Sequence, residues 1–281
     1  MNHTRLTNHT CLQFCDYLRR EERSAATVEK YRRDAEAFCR YLGPGEEVTK
    51  ERVILYKQSL QARYKTSSVN SMLVAVNRLL AYLGRSDCRV RLLRVQRRVF
   101  CEKDKELGRD EYLRLLGAAR HGGNERLHLL LQTLCSTGIR VGELRYITCE
   151  ALREGCARVR CKGKERLILL PRPLQKKLRQ YCRQRKLSQG SVFVTRSGRP
   201  MDRSNIWAEM KRLCAVAEVD PRKVFPHNLR HLFAVTFYRQ HRDIVQLADV
   251  LGHSNIETTR IYTVSSGREH GRRLDRLGLV V

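Results

Sequence analysis

Acidic residues are scarce in this chain. Against 56 Lys and Arg there are only 29 Asp and Glu, leaving a formal charge of +27 over 281 residues. So one-sided a balance argues against an ordinary soluble enzyme and points to a polyanionic partner, which on composition alone is DNA or RNA. Zinc-site spacing is missing too. None of the 11 cysteines stands in a CxxC arrangement. The closest pairs, Cys11/Cys15 and Cys156/Cys161, have no matching His or Cys pair. They read as small buried hydrophobes in a reducing compartment. No apolar run approaches membrane-spanning length, and MNHTRLTNHTC has no apolar signal core. A cytoplasmic, nucleoid-associated protein with no membrane partner and no metal centre is expected. The length allows one large domain or two modest ones, each with its own core.

Helix follows helix through the first 85 residues. Leu12, Phe14, Cys15 and Leu18 mark the first. Ser24 to Thr27 cap a second, with Val28, Tyr31, Ala35, Phe38 and Leu42 at helical spacing before Gly43-Pro44-Gly45 stops it. Thr49 caps a third carrying Val53, Ile54, Tyr56 and Leu60. Thr66 to Ser68 open a fourth, with Val69, Leu73, Val76, Leu80 and Leu83 inward. A compact four-helix domain is the simplest packing. The polar face of the fourth helix shows Lys65, Ser67, Ser68, Asn70, Ser71, Asn77 and Arg78. Short hydroxyls and amides mixed with cations suit a helix lying in a DNA major groove, and an ordinary solvated face would look similar.

Residues 86 to 105 are arginine-rich with little periodicity and read as a basic linker. A second domain begins near Leu107. Leu127 to Leu134 is apolar enough for a buried helix ending at Thr137-Gly138, and Arg140, Glu143 and Leu144 start another. Arg158 to Leu170 alternates as a hairpin around Lys162-Gly163-Lys164, and Val192-Phe193-Val194 predicts a further short strand.

The densest chemistry lies between Phe225 and Thr263. Pro226 suits a helix start, and His227 and Arg230, three residues apart, share a helical face. Asp243 opens an amphipathic helix with Ile244, Leu247, Val250 and Leu251, closed by Gly252. Ser254 and Glu257 form a capping-box pattern for one more helix, with Tyr262 at its far end and His253 on the turn before it. Two histidines, an arginine and a candidate tyrosine nucleophile suit phosphate chemistry. A metal pair of His227 and His231 finds no carboxylate at HExxH spacing. Taken singly, each residue has an ordinary structural explanation: an ion pair, a helix cap or a core tyrosine.

Together they carry a resemblance. Ser136-Thr137-Gly138-Ile139-Arg140-Val141-Gly142-Glu143-Leu144, His227-Asn228-Leu229-Arg230-His231 and Leu251-Gly252-His253 followed by Ile261-Tyr262-Thr263 resemble, in order, the signature boxes of tyrosine recombinases, the phage-integrase and Xer-like family. The resemblance implies a mainly α fold closing on DNA as a C-shaped clamp. A four-helix, SAM-like core-binding domain would span 1–85, a basic linker 86–105, and a mostly helical catalytic domain with a small hairpin 106–281. It implies Tyr262 as nucleophile, forming a 3′-phosphotyrosyl link, with Arg140 and Arg230 on the phosphate oxygens. Lys162 would protonate the leaving 5′-oxygen, His227 and His253 would assist, and Glu143 would brace Arg140. The family's turn, GKGxKxR, is one residue longer than Cys161-Lys162-Gly163-Lys164-Glu165-Arg166, so Lys164 stays open beside Lys162. No cofactor is implied, because a covalent intermediate conserves the broken bond's energy. The implied partner is double-stranded DNA with paired sites, bound by a protein that is monomeric when free and tetrameric on synapsis, with accessory DNA-bending proteins possible. The tail, with Leu274, Leu277 and Leu279, would dock on a neighbouring protomer or fray. A type IB-like topoisomerase and a non-cleaving DNA-binding protein are the rival readings.

Overall fold

A computed structural model describes residues 6–43, 46–94, 106–161 and 164–262. The chain divides into two compact units, residues 1–97 and 98–281.

The first unit is built on four helices, α1 (Asn8–Arg20), α2 (Ala25–Leu42), α3 (Lys50–Gln61) and α4 (Thr66–Tyr82). Thr7, Ser24 and Thr49 cap the first three by accepting backbone N–H bonds with their hydroxyls. Phe14, Leu18, Phe38, Leu73, Leu79 and Leu80 fill the core between them. Each such side chain contributes roughly 1.5–3 kcal/mol on burial. Leu12 and Ile54, counted among the apolar residues of their helices, are exposed at 57% and 39%. Each sits one residue, or about 100°, off the stripe its helix buries, which runs through Cys11, Phe14 and Leu18 in α1 and Val53, Tyr56 and Leu60 in α3.

The start of the expected linker packs onto this unit. Asn77 donates Nδ2 to Val90 O at 2.8 Å and accepts Val90 N at 2.9 Å. Asn70 holds Leu93 in the same two-way manner, with both bonds at 2.8 Å. Lys57 reaches Arg91 O at 2.8 Å, and Cys88 and Val90 are buried. The two amides act as substitute peptide groups, giving residues 90 and 93 the ladder bonds of a strand without a strand beside them.

In the second unit α5 (Arg109–His121) packs on α6 (Glu125–Thr137), whose Leu127, Leu129, Leu130, Leu131 and Leu134 are all buried. A 3-10 helix, Val141–Tyr146, replaces the α-helix expected there, and α7 (Cys149–Glu154) follows. Strands β1 (Cys156–Cys161) and β2 (Lys164–Leu169) form an antiparallel hairpin in which Cys161 pairs with Lys164 and Val159 with Arg166. Then come α8 (Arg172–Gln184), α9 (Arg203–Val216), α10 (Pro226–His241) and α11 (Ile244–Leu251). Val192–Val194 is not a strand. Among the described residues its one bridge is that of Val194 to Pro200, which lacks an N–H to extend a ladder, while Val192 N donates to Ile147 O and Phe193 O accepts from Met201 N, both at 2.9 Å, and Val192 and Phe193 are buried in the core. After α11 come two 3-10 turns, Ile256–Thr258 and Arg260–Tyr262. The cap is Asn255, whose side chain accepts from Glu257 N, and not Ser254. Val250, expected inward, is exposed, because α11 buries Leu247, Ala248 and Leu251.

Candidate active site

Four chain segments meet at the site. Gly138 ends α6 in the left-handed conformation with φ +61°, and a Cβ there would stand 2.4 Å from the Phe233 ring. Only glycine lets the chain turn so close to α10. That turn delivers Arg140, whose backbone N–H donates to Glu143 Oε2 at 2.8 Å and whose Nη1 donates to Glu143 Oε1 at 3.1 Å. Arg166 of β2 donates to the same carboxylate through Nη2 and to Val250 O through Nη1 at 3.0 Å. Burial alone would raise the Glu143 carboxyl, but the Arg140 N–H and the two guanidiniums together hold it below the usual carboxylate range. It is therefore a fixed anion between two arginines.

Arg230, on the second turn of α10, is buried at 3% exposure. It donates to Gly138 O through Nη1 and to Leu251 O through Nη2 at 2.8 Å, so one side chain ties the end of α6 to the end of α11. Its Nη2 also lies 2.8 Å from His253 Nε2. Burial, with Arg140 nearby, brings the guanidinium down to about 10, while Tyr262 opposes the shift. His253 follows Gly252, another left-handed residue, with φ +64°. Its own burial, then Arg230, Arg140 and Arg166, lowers its imidazole to about 4. The ring is thus neutral near pH 7. Arginine can only donate, so Nε2 accepts and the proton sits on Nδ1, which donates to Thr259 Oγ1 at 2.9 Å.

Tyr262 is buried at 4% exposure. It stacks on His253 at 6.2 Å between ring centroids and meets the edge of His231 at 5.2 Å. His231 Nε2 lies 3.7 Å from Glu106 Oε1. His227 stands exposed on the first turn of α10. Desolvation of its inner side, then Arg230, His231 and Arg140, lower its basicity. Arg140 keeps nearly half its side chain open, at 47%.

The structure therefore brings Arg140, Glu143, Arg230, His253 and Tyr262 into one linked cluster, with His227 on the Arg230 helix. Lys162 lies outside the described residues. Lys164 is placed only as the ladder partner of Cys161. Two residues of the cluster were not singled out in the sequence. Thr259, fully buried, fixes the His253 tautomer, and no sequence pattern marks it. Arg166 bridges Glu143 and Val250, and its signal was present as the final arginine of the family's turn pattern.

On α4 the seven groove candidates separate. Asn70 and Asn77 are committed to Leu93 and Val90, and Arg78 donates to Tyr17 Oη at 2.8 Å and Glu21 Oε2 at 2.9 Å. Their amide and guanidinium groups hold the chain's own backbone and side chains. Lys65, Ser67, Ser68 and Ser71 are exposed.

The profile of the phage integrase family matches residues 105–269, and that of the phage integrase N-terminal SAM-like domain matches residues 12–87. Tyrosine recombinase XerD of Vibrio cholerae serotype O1 is 33% identical over 217 residues, covering 72% of each chain. XerD of Halalkalibacterium halodurans is 28% identical over 282 residues, covering 91% of this chain and 93% of that one. Two solved structures share the fold at 17% identity and a TM-score of 0.72. XerH bound to its difH substrate before cleavage aligns over 98% of this chain and 85% of its own. A lambda integrase dimer bound to a COC′ core site aligns over 90% of this chain and 94% of its own. A family profile spanning more than half of the sequence, and a relative one-third identical across 72% of it, show that this chain belongs to the phage integrase family, the tyrosine recombinases.

Proposed function

We propose that the protein is a site-specific recombinase that cuts and rejoins DNA through a covalent bond to Tyr262. The carrying observation is the chain of contacts from Arg230 to His253 to Tyr262, with Arg140 opening beside it. A phosphodiester repels an incoming nucleophile, so the site needs fixed cations where charge grows in the transition state. Guanidiniums held by carbonyls and by Glu143 meet that need without reorganising.

In the proposed step the Tyr262 oxygen attacks the scissile phosphorus and its proton passes to His227, which is kept neutral at physiological pH. The bond from phosphorus to the 5′-oxygen breaks as a phosphotyrosyl bond forms at the 3′ end. Lys162, or Lys164 in its place, gives the departing 5′-oxygen its proton. His253 stays neutral and steadies Arg230. Rejoining runs the same step backwards with a 5′-hydroxyl from a second site as nucleophile.

Residues 1–85 would act as the core-binding domain, 86–105 as a linker and 106–281 as the catalytic domain. Lys65, Ser67, Ser68 and Ser71 would face the major groove. A lambda integrase tetramer has been solved on a Holliday junction, which supports a tetramer on two synapsed sites here. A nucleoid location and accessory bending proteins would follow from that role.

The test is an exchange assay with two copies of a site taken from DNA flanking the gene. Wild-type protein should join the left half of one copy to the right half of the other, and Tyr262→Phe should give no recombinant. Relaxation of supercoils without exchanged ends would favour a topoisomerase. An unchanged biological effect in Tyr262→Phe would favour a protein that only binds.

A further inference from the structure

We propose that Arg166 is the positioning residue that sets the lysine-bearing hairpin against the two catalytic arginines; this rests on the recombinase reading above. Three contacts define the placement. Arg166 Nη2 donates to Glu143, which also holds Arg140, and Nη1 donates to Val250 O at 3.0 Å, two residues before Gly252. The third is steric. A Cβ on Gly252 would stand 2.4 Å from Arg166 Cδ, so the residue before His253 lies directly on the arginine stem. One side chain, 16% exposed, thus touches the segments that carry Arg140 and His253 while belonging to the strand that follows the lysine turn. Its Nε is buried without a hydrogen-bond partner, a cost the site accepts for this placement.

The nearness of the lysines in sequence makes the placement consequential. Both candidate lysines, Lys162 and Lys164, lie within four residues of Arg166 in the sequence, and Lys164 closes the ladder opposite Cys161. Arg166 is two residues along β2 from Lys164 and directly opposite Val159, on the hairpin face that also buries Ala157 and Ile168. Glu143 keeps its two bonds to Arg140 when Arg166 is replaced, so the larger effect falls on the hairpin and on proton delivery to the 5′-oxygen.

The experiment compares single-turnover cleavage by wild type, Arg166→Lys and Arg166→Gln on two substrates. One is ordinary DNA. The other carries sulfur in place of the bridging 5′-oxygen, and so leaves as a thiolate that needs no proton. Circular dichroism and the melting temperature select folded protein, and Arg166→Lys keeps the charge should Arg166→Gln fail to fold. The expected result is a loss of about a hundredfold on ordinary DNA, of the size seen when a catalytic group is misplaced by 1 Å. Cleavage of the sulfur substrate should stay within about tenfold of wild type. Equal loss on both substrates would overturn the proposal in favour of a purely structural role, and so would full activity on ordinary DNA. No cleavage of either substrate by wild type would overturn the recombinase reading itself, and the proposal with it.

Discussion

Arg230 carries its charge where charge is costly, and its surroundings show why it is kept there. Two main-chain carbonyls and a neutral imidazole hold it, while burial and Arg140 bring its guanidinium down to about 10. A site with such a cation gains when a phosphate arrives. Arg230→Lys keeps the charge but cannot span Gly138 O, Leu251 O and His253 from one planar group. Single-turnover cleavage should fall by about 10²–10³-fold, the usual effect of losing one preorganised donor. His253 gives a second prediction, about pH. Its folded value of about 4 lies below the ordinary imidazole value of 6.5, so the unfolded chain binds the extra proton first as pH falls. The stability it contributes is complete above about 6.5 and is lost as pH falls through that window toward 4. In DNA-free protein, wild type should therefore lose more melting temperature between pH 7 and pH 5 than His253→Gln does. Equal losses would contradict the assigned neutral ring.

Among the elements, the left-handed glycines at the site, Gly138 and Gly252, and the two asparagines of α4 carry most of the consequence. Gly252→Ala would force a Cβ into both a φ of +64° and the Arg166 stem. It should cost about 1–2 kcal/mol in the left-handed conformation alone, measured by urea denaturation. Asn77→Ala removes both bonds to Val90 and should cost about 1–3 kcal/mol while leaving the cleavage step unchanged. These elements also show what was legible in the sequence. Periodicity and caps located α1 to α4, α6, α10 and α11, because burying an apolar stripe leaves a 3.6-residue signal. The candidate catalytic residues were legible only as an ordered set of motifs, since Arg140, His253 and Tyr262 each look ordinary alone. The bonds of Asn70 and Asn77 to residues 93 and 90 were not legible, because a polar face reads the same whether it meets DNA or the chain's own backbone. Ser254 lost the cap to Asn255, and Val192–Val194 found no strand to pair with, because both outcomes depend on tertiary partners that no local pattern records.

Across the whole molecule, the +27 charge makes affinity for DNA a salt-dependent quantity. Binding should weaken by about 0.9 log units per log unit of salt for each phosphate neutralised. Lys65→Gln should lower that slope by about one if the exposed start of α4 meets the backbone. The covalent chemistry at Tyr262 is open to direct measurement. Protein and end-labelled site DNA would be incubated with EDTA and without nucleotide, stopped in SDS and digested with nuclease and protease. Mass spectrometry would then locate the nucleotide-bearing residue. The expected result is a nucleotide joined through its 3′-phosphate to Tyr262, and no adduct from Tyr262→Phe. An adduct on any other residue, or cleaved DNA with no adduct, would contradict it.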